Sequence, residues 1–212
     1  MRITVFGANG NVGSRVVTEA LARGHRVTAV LRDPARPHRL PPSAVIAGGD
    51  ARDPEDVRRL AADQDVLITA TRPAPGHEDE LAVATEGLLA GLTGTGVRLL
   101  VVGGAGSLAL PGGDGRTVVD DPGFPAAWRP IADACREQLD LYRADAGVDW
   151  TYLSPAALLE PGERTGRYRL GRDELVVDAA GTSAISMEDL AVALLDEAEH
   201  PAHLRSRFTV AY

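Results

Sequence analysis

At 212 residues with 44% hydrophobic content, the chain can bury one substantial core, so a single domain over residues 1–212 is expected. A formal net charge of −8 with no basic stripe argues against a nucleic-acid binder, and no apolar run approaches the ~20 residues that a membrane helix needs. The one cysteine, Cys135, excludes an internal disulfide, no Cys/His cluster has metal-ligand spacing, and the N-terminus reads as a core strand; a reduced, cytoplasmic protein without a metal is expected.

The first strand begins at Arg2 and runs through Ile3-Thr4-Val5-Phe6 into Gly7-Ala8-Asn9-Gly10-Asn11-Val12-Gly13. The three glycines have separable jobs. Gly7 can turn the chain, Gly10 can yield space to a pyrophosphate, and Gly13 can let the next helix close on the sheet. That helix begins near Asn11, with Val12, Val16, Val17 and Leu21 as its apolar stripe, and it aims free N–H groups and a positive dipole end at the phosphates. Gly7, Asn9, Gly10, Asn11, Val12 and Gly13 are therefore candidate ligands of a dinucleotide. The glycine triplet alone is also compatible with an ordinary strand-to-helix turn, and the flanking strand and helix decide for the nucleotide.

The second strand, 25–31, ends at Arg32, where NAD-specific sites place an acid. A guanidinium there can clamp a ribose 2′-phosphate, which favours NADP(H) over NAD(H). Asp33 can instead accept from a 2′-hydroxyl, and Arg36 and Arg39 can be solvated loop charges. A third strand at 45–47 closes with Gly48-Gly49-Asp50, and a helix over 54–62 takes Asp53 as cap and Pro54 in its first turn. Strands follow at 66–69, 97–102 and 149–153, with helices over 78–92 and mainly over 124–146. The alternation predicts an α/β protein with a doubly wound parallel sheet. After Pro155 the pattern changes to two short strands, 165–170 and 174–178, joined as a hairpin by Gly171-Arg172-Asp173, then 183–186, a helix over 187–199 and a last strand at 207–210. Residues from about 155 to 212 thus read as a small C-terminal substrate lobe, with a cleft between it and the carboxyl ends of the strands.

Several of these segments together resemble a known family: Gly7 to Gly13, Arg32-Asp33-Pro34, Gly49-Asp50-Ala51-Arg52-Asp53, Val102-Gly103-Gly104-Ala105-Gly106-Ser107, Trp150-Thr151-Tyr152-Leu153-Ser154-Pro155 and Ile185-Ser186-Met187-Glu188-Asp189-Leu190-Ala191. Over essentially its whole length the chain looks like an atypical short-chain dehydrogenase/reductase of the NAD(P)H-binding group, related to biliverdin/flavin reductases and to NmrA-like NADP sensors. The resemblance implies a Rossmann-like fold in which Asp50 and Ala51 meet the adenine and Thr69, Ala70, Thr71 and Arg72 line the cofactor. It also implies that Gly103 and Gly104 border the cofactor and that Ser154, Pro155, Ala156 and Ala157 run beside the nicotinamide.

The departures are informative too. Typical short-chain dehydrogenases use Tyr-x-x-x-Lys, in which lysine lowers the tyrosine pKa so that the phenol can pass a proton. All 22 residues counted as Lys+Arg are arginine, so that pair cannot exist, and 128–137 contains no tyrosine. Tyr168 has Arg172 four residues on, but in a predicted hairpin. The histidine that biliverdin/flavin reductases carry after the sixth-strand proline is replaced by Ala156-Ala157. Ser107 can hydrogen-bond a substrate carbonyl or the nicotinamide amide, or it can cap a turn; it is the candidate catalytic residue. Tyr142 and Tyr168 read as packing residues and His77 as a solvated one.

A hydride donor with few proton donors around it suits flavins, quinones or conjugated carbonyls that take protons from water. The expected activity is NADPH-dependent reduction of a small apolar conjugated acceptor, in a pocket built from 103–115, 108–124 and 155–169. The alternatives are a non-catalytic NADP(H)-sensing protein and a non-redox isomerase or cyclase on the same fold.

Overall fold

The computed structural model describes residues 1–112 and 115–212; Gly113 and Asp114, part of the predicted pocket loop, lie outside the described residues. Strands β1 (Arg2–Phe6), β2 (Arg26–Leu31) and β3 (Val45–Gly48) alternate with helices α1 (Asn11–Ala22) and α2 (Pro54–Ala61). Strand β4 (Val66–Thr69), helix α3 (Glu80–Leu92), β5 (Arg98–Val102), α4 (Arg129–Ala144) and β6 (Trp150–Ser154) continue the alternation. The C-terminal part adds β7 (Leu158–Glu160), β8 (Arg169–Gly171), β9 (Ala184–Ser186), α5 (Met187–Glu199) and β10 (Ser206–Ala211).

The large sheet has the order β3-β2-β1-β4-β5-β6-β10-β8 and is parallel throughout except for the β10–β8 pair; β7 and β9 form a separate parallel pair. This is the doubly wound α/β architecture that the alternation predicts. Side chains of a strand point to opposite faces in turn, so β1 sends Ile3 and Val5 to one layer and Phe6 to the other. The first layer packs α1 and α5 on one face of the sheet, and its core is shared by Val16 and Val17 of α1, Leu190 and Leu194 of α5, and Phe208 and Val210 of β10. Helices α2, α3 and α4 cover the opposite face with Val57, Leu88 and Leu139 over Leu67, Leu99 and Tyr152. Burial on both faces explains why β4 and β5 read as nearly unbroken apolar runs.

The predicted hairpin does not form. β8 keeps only Arg169–Gly171 and pairs antiparallel with β10, with Arg169 opposite Ala211 and Gly171 opposite Thr209. The partner expected for it turns elsewhere, since the Leu175 N–H donates to the Ala109 carbonyl at 2.9 Å and Glu174 bridges Ala109. Strand β7 was not expected at all. The region 124–146 is α-helical only over Arg129–Ala144, after a 3-10 turn at Ala126–Trp128; Pro125 disfavours a helical Phe124, and Pro130 is tolerated because it falls in the first turn of α4, where an N–H has no partner to lose.

Among the described residues no helix is long and apolar enough to cross a membrane, and no group of three or more His, Cys, Asp or Glu side chains is placed to hold a metal ion.

Candidate nucleotide and acceptor site

Parallel strands bring their carboxyl ends to one edge, and there the turn from β1 to α1 is shaped by two glycines. Gly7 has φ +73°, and a Cβ on it would lie 2.5 Å from the Ala70 carbonyl oxygen at the end of β4. On Gly13 a Cβ would lie 2.1 Å from the Gly7 carbonyl oxygen, so helix and strand meet backbone to backbone. Gly10 is exposed, with φ −76°; its N–H donates to the Gly7 carbonyl at 3.0 Å, and its carbonyl accepts from Ser14 N–H.

Helix α1 starts with no side-chain cap and no acidic residue in its first turn. Among the other helices, α4 shares both absences but runs on from a 3-10 turn and carries Pro130, which has no N–H, in its first turn; α3 has Glu80 there, and α2 and α5 are capped. Asp53 caps α2 by accepting from Glu55 N–H at 2.9 Å, Ser186 caps α5 by accepting from Asp189 N–H at 2.9 Å, and both helices carry two acids in the first turn. Among the described residues the amides of Asn11, Val12 and Gly13 have no side-chain cap and the first turn holds no acid, so this positive dipole end is left to an outside acceptor. A pyrophosphate fits this start. Asn9 and Asn11 stand exposed beside it, and Val12 is half-buried.

The end of β4 touches the same turn. Ala70 N–H donates to the Phe6 carbonyl at 3.0 Å, Thr69 and Thr71 hydroxyls lie 3.0 Å apart, and Arg72 is exposed. Beyond β2, the Arg32 side chain is 70% exposed and, among the described residues, pairs only with Glu80, at 3.9 Å. Asp33 is occupied locally, its carboxylate accepting from Ala35 N–H at 3.1 Å. After β3, Asp50 accepts the backbone N–H of Arg52 at 3.0 Å and its guanidinium at 2.6 Å; the Arg52 hydrogen bond holds the Asp50 carboxyl below its usual range. Ala51 is buried.

After β5 the loop passes so close over Tyr152 that a Cβ on Gly103 would overlap its ring, 1.9 Å from Cζ. The buried Tyr152 hydroxyl lies 3.0 Å from the Cys135 carbonyl that can accept its proton, and itself accepts from Gly104 N–H at 3.3 Å. Burial pushes the Tyr152 phenol far up, and it pushes the Cys135 thiol up to about 11, so neither ionises near neutrality. Farther along, Ser107 is half-buried and its hydroxyl accepts from Arg207 at 2.9 Å. Arg207, buried in β10, also donates to the Ser107 carbonyl at 3.2 Å and pairs with Asp173 at 2.6 Å. At the end of β6, Ser154, Pro155 and Ala156 are all buried; the Ser154 hydroxyl has no hydrogen-bond partner among the described residues, and Ala157 N–H donates to Ser183 at 3.3 Å.

The structure thus gathers the glycine turn with 69–72, and Arg32 with Asp50, while Gly103 and Gly104 sit over Tyr152 and Cys135. It does not bring Tyr142, Tyr168 or His77 to Ser107. Tyr142 lies in the last turn of α4 with its hydroxyl buried and, among the described residues, without a hydrogen-bond partner. Tyr168 donates to Asp196, which is also bound by Arg23, the residue that ends α1 about 18 Å from its start. His77 is exposed and faces Glu80 at 3.9 Å. Sequence reasoning overlooked Arg207 and Tyr152. The signal for Arg207 was weak, since it stands at the start of the run Phe208 to Ala211 and only two residues after another arginine, Arg205, and Tyr152 looked like any buried strand residue.

Comparison with known proteins places these features. Residues 7–201 match a family described as NAD(P)H-binding. The chain is 33% identical to a protein of Streptococcus pneumoniae, SP1627, provisionally named an NADH-flavin reductase, with a TM-score of 0.90 over 100% of this chain and 99% of that one. It is 38% identical to a provisionally named epimerase of Bacteroides thetaiotaomicron, with a TM-score of 0.90 over 100% of this chain and 96% of that one. A 3-diazoavenalumate denitrifying reductase of a Streptomyces species is 32% identical over 84% of this chain and 62% of its own length.

Proposed function

The chain belongs to the NAD(P)H-binding family, and from that premise we propose that it is an NADPH-dependent oxidoreductase acting on a small apolar conjugated acceptor: a flavin, a quinone or an enone. The open start of α1 carries this reading, because three amides and an unneutralised dipole end are kept free at the carboxyl edge of the sheet. When bound, the reduced nicotinamide supplies the hydride. Arg32 supports NADP(H) over NAD(H): it is exposed and loosely paired, while the competing Asp33 is spent on its own turn. The reductase names of two relatives agree with the redox assignment.

The protein's own contribution is to bind, orient and exclude water. The Tyr152 phenol and the Cys135 thiol beside Gly103 and Gly104 keep their protons, which suits acceptors that are protonated from water. Ser107 is the proposed ligand of the acceptor's oxygen. Its oxygen accepts a charge-assisted hydrogen bond from Arg207, which polarises an O–H whose proton goes to no described residue. Leu158, which would close the site in a pure sensor, is 50% exposed.

The test is oxidation of NADPH and NADH with flavins, quinones and enones, run on wild type, Arg32→Ala and Ser107→Ala. Faster turnover with NADPH, loss of that preference in Arg32→Ala and a fall of about tenfold or more on carbonyl acceptors in Ser107→Ala are expected. Binding of NADP(H) without turnover of any acceptor would replace this reading with the sensor. Conversion of a substrate without net loss of NADPH would replace it with the isomerase to which the epimerase-like neighbour points.

A further inference from the structure

Two guanidinium groups and one imidazole converge on one carboxylate at the adenosine end of the site. Glu80, the first residue of α3, places Oε2 3.9 Å from Arg32 Nη1 and Oε1 3.4 Å from Arg52 Nη1, with His77 Nδ1 3.9 Å from Oε1. Arg52 does not wander. Its Nε lies 3.0 Å from both Asp50 oxygens and its Nη2 2.6 Å from Oδ2, which leaves Nη1 turned toward Glu80. One carboxylate therefore offers one oxygen to each of two guanidinium groups, the arrangement that a phosphate monoester satisfies better. Such a phosphate carries about twice the charge and three strong acceptor oxygens.

We propose that Arg32 and Arg52 together seat the 2′-phosphate and that Glu80 is the resident anion that this phosphate displaces, so Arg52 and Glu80 set the cofactor selectivity. The inference rests on the NADP(H) reading above and extends it to two residues outside the β2 end. A 2′-hydroxyl carries no charge with which to compete for the two guanidiniums, so NAD(H) leaves Glu80 in place. Glu80 then lowers affinity for NADP(H) alone.

Equilibrium titration of NADP+ and NAD+ against wild type, Glu80→Gln, Arg52→Ala and Arg32→Ala at low ionic strength tests the assignment. Exposed ion pairs are individually weak, so Glu80→Gln is expected to tighten NADP+ roughly three- to tenfold and Arg52→Ala to weaken it by a similar factor. Both should leave NAD+ within about twofold, and both effects should shrink at high salt. Unchanged or weaker NADP+ binding in Glu80→Gln overturns the proposal, as does an Arg52→Ala effect that falls equally on both nucleotides, since Arg52 would then serve only to hold Asp50. A wild type that shows no preference for NADP+ refutes the cofactor reading instead. The seat is then decided separately, standing if Glu80→Gln gains affinity for NADP+ alone and falling if it does not.

Discussion

The sharpest consequence of the β1–α1 turn is that two of its glycines, Gly13 and Gly10, fail in different ways. At Gly13 an added Cβ would sit 2.1 Å from the Gly7 carbonyl oxygen and 2.8 Å from its carbon, both backbone atoms that cannot swing aside. Relief requires α1 to move off β1 by on the order of 1 Å, which opens the layer formed by Val16, Val17, Ile3 and Val5. Overpacking costs about 1–3 kcal/mol where side chains can yield, and a backbone obstacle belongs at or above the top of that range. Alanine in place of a helical glycine returns about 1 kcal/mol. Gly13→Ala should therefore lose about 2–3 kcal/mol net and melt roughly 4–12 °C lower in a chain of this size. Gly10 differs, because its φ of −76° suits any residue and its nearest neighbour, again the Gly7 oxygen, is 3.2 Å away. Alanine at this N-cap should cost about 1 kcal/mol or less. Gly10→Leu should melt near Gly10→Ala yet bind NADP+ at least about a hundredfold more weakly, because its side chain occupies the pyrophosphate's approach. Thermal unfolding and calorimetric titration on the three variants separate the two failures. A Gly13→Ala protein that melts with wild type, or a Gly10→Leu protein that binds NADP+ normally, would refute the reasoning.

Two further outcomes follow from side chains away from that turn. Tyr142→Phe and Tyr168→Phe should each keep kcat within about tenfold, and they should part in denaturant unfolding. Tyr142 surrenders a buried hydroxyl without a partner, whereas Tyr168 surrenders its bond to Asp196; a fall in kcat of about 10²-fold at either would place the proton donor there. Glu197 should make folding acid-sensitive. Burial alone would raise its pKa, but hydrogen bonds from His203, from the backbone at 202 and 203 and from Arg98 outweigh it and hold the folded value below the ordinary 4.5. A depressed folded pKa means stability that is present above 4.5 and lost as the pH falls through the folded value. The stability difference between wild type and Glu197→Gln should accordingly narrow between about pH 5 and pH 3, and a constant difference across that range would be the contrary result.

The central sheet was legible because its signals are local. A strand buried on both faces is mostly apolar, and β4 and the run Leu99 to Val102 of β5 show it most clearly; a helix start needs a cap or a reason to lack one, and Asp53 before Pro54 marked the start of α2 to the residue. The C-terminal segments failed for the opposite reason. β8 is three residues long, and its partner, β10, arrives about forty residues later, so adjacency in sequence wrongly favoured the turn at Gly171-Arg172-Asp173. β7 is equally short and is fixed only by β9, again from a distance.

The same distinction divides the candidate site. Phosphate-binding geometry is a property of contiguous backbone, so Gly7 to Gly13 could be read directly, down to the separate demands on Gly7 and Gly13. Charge pairing is a property of the folded edge, where Arg32 of the β2–β3 connection, Arg52 of the β3–α2 connection and Glu80 at the start of α3 meet, and no spacing in the chain announces that meeting. Ser107 joins both kinds. Its place after β5 marked it as a candidate, but the partner that gives its hydroxyl chemical character, Arg207, lies a hundred residues away on β10. If the acceptor's oxygen is bound there, the strength of that bond is set by a buried guanidinium in the last strand, so the C-terminal strand contributes to the reaction as well as closing the sheet.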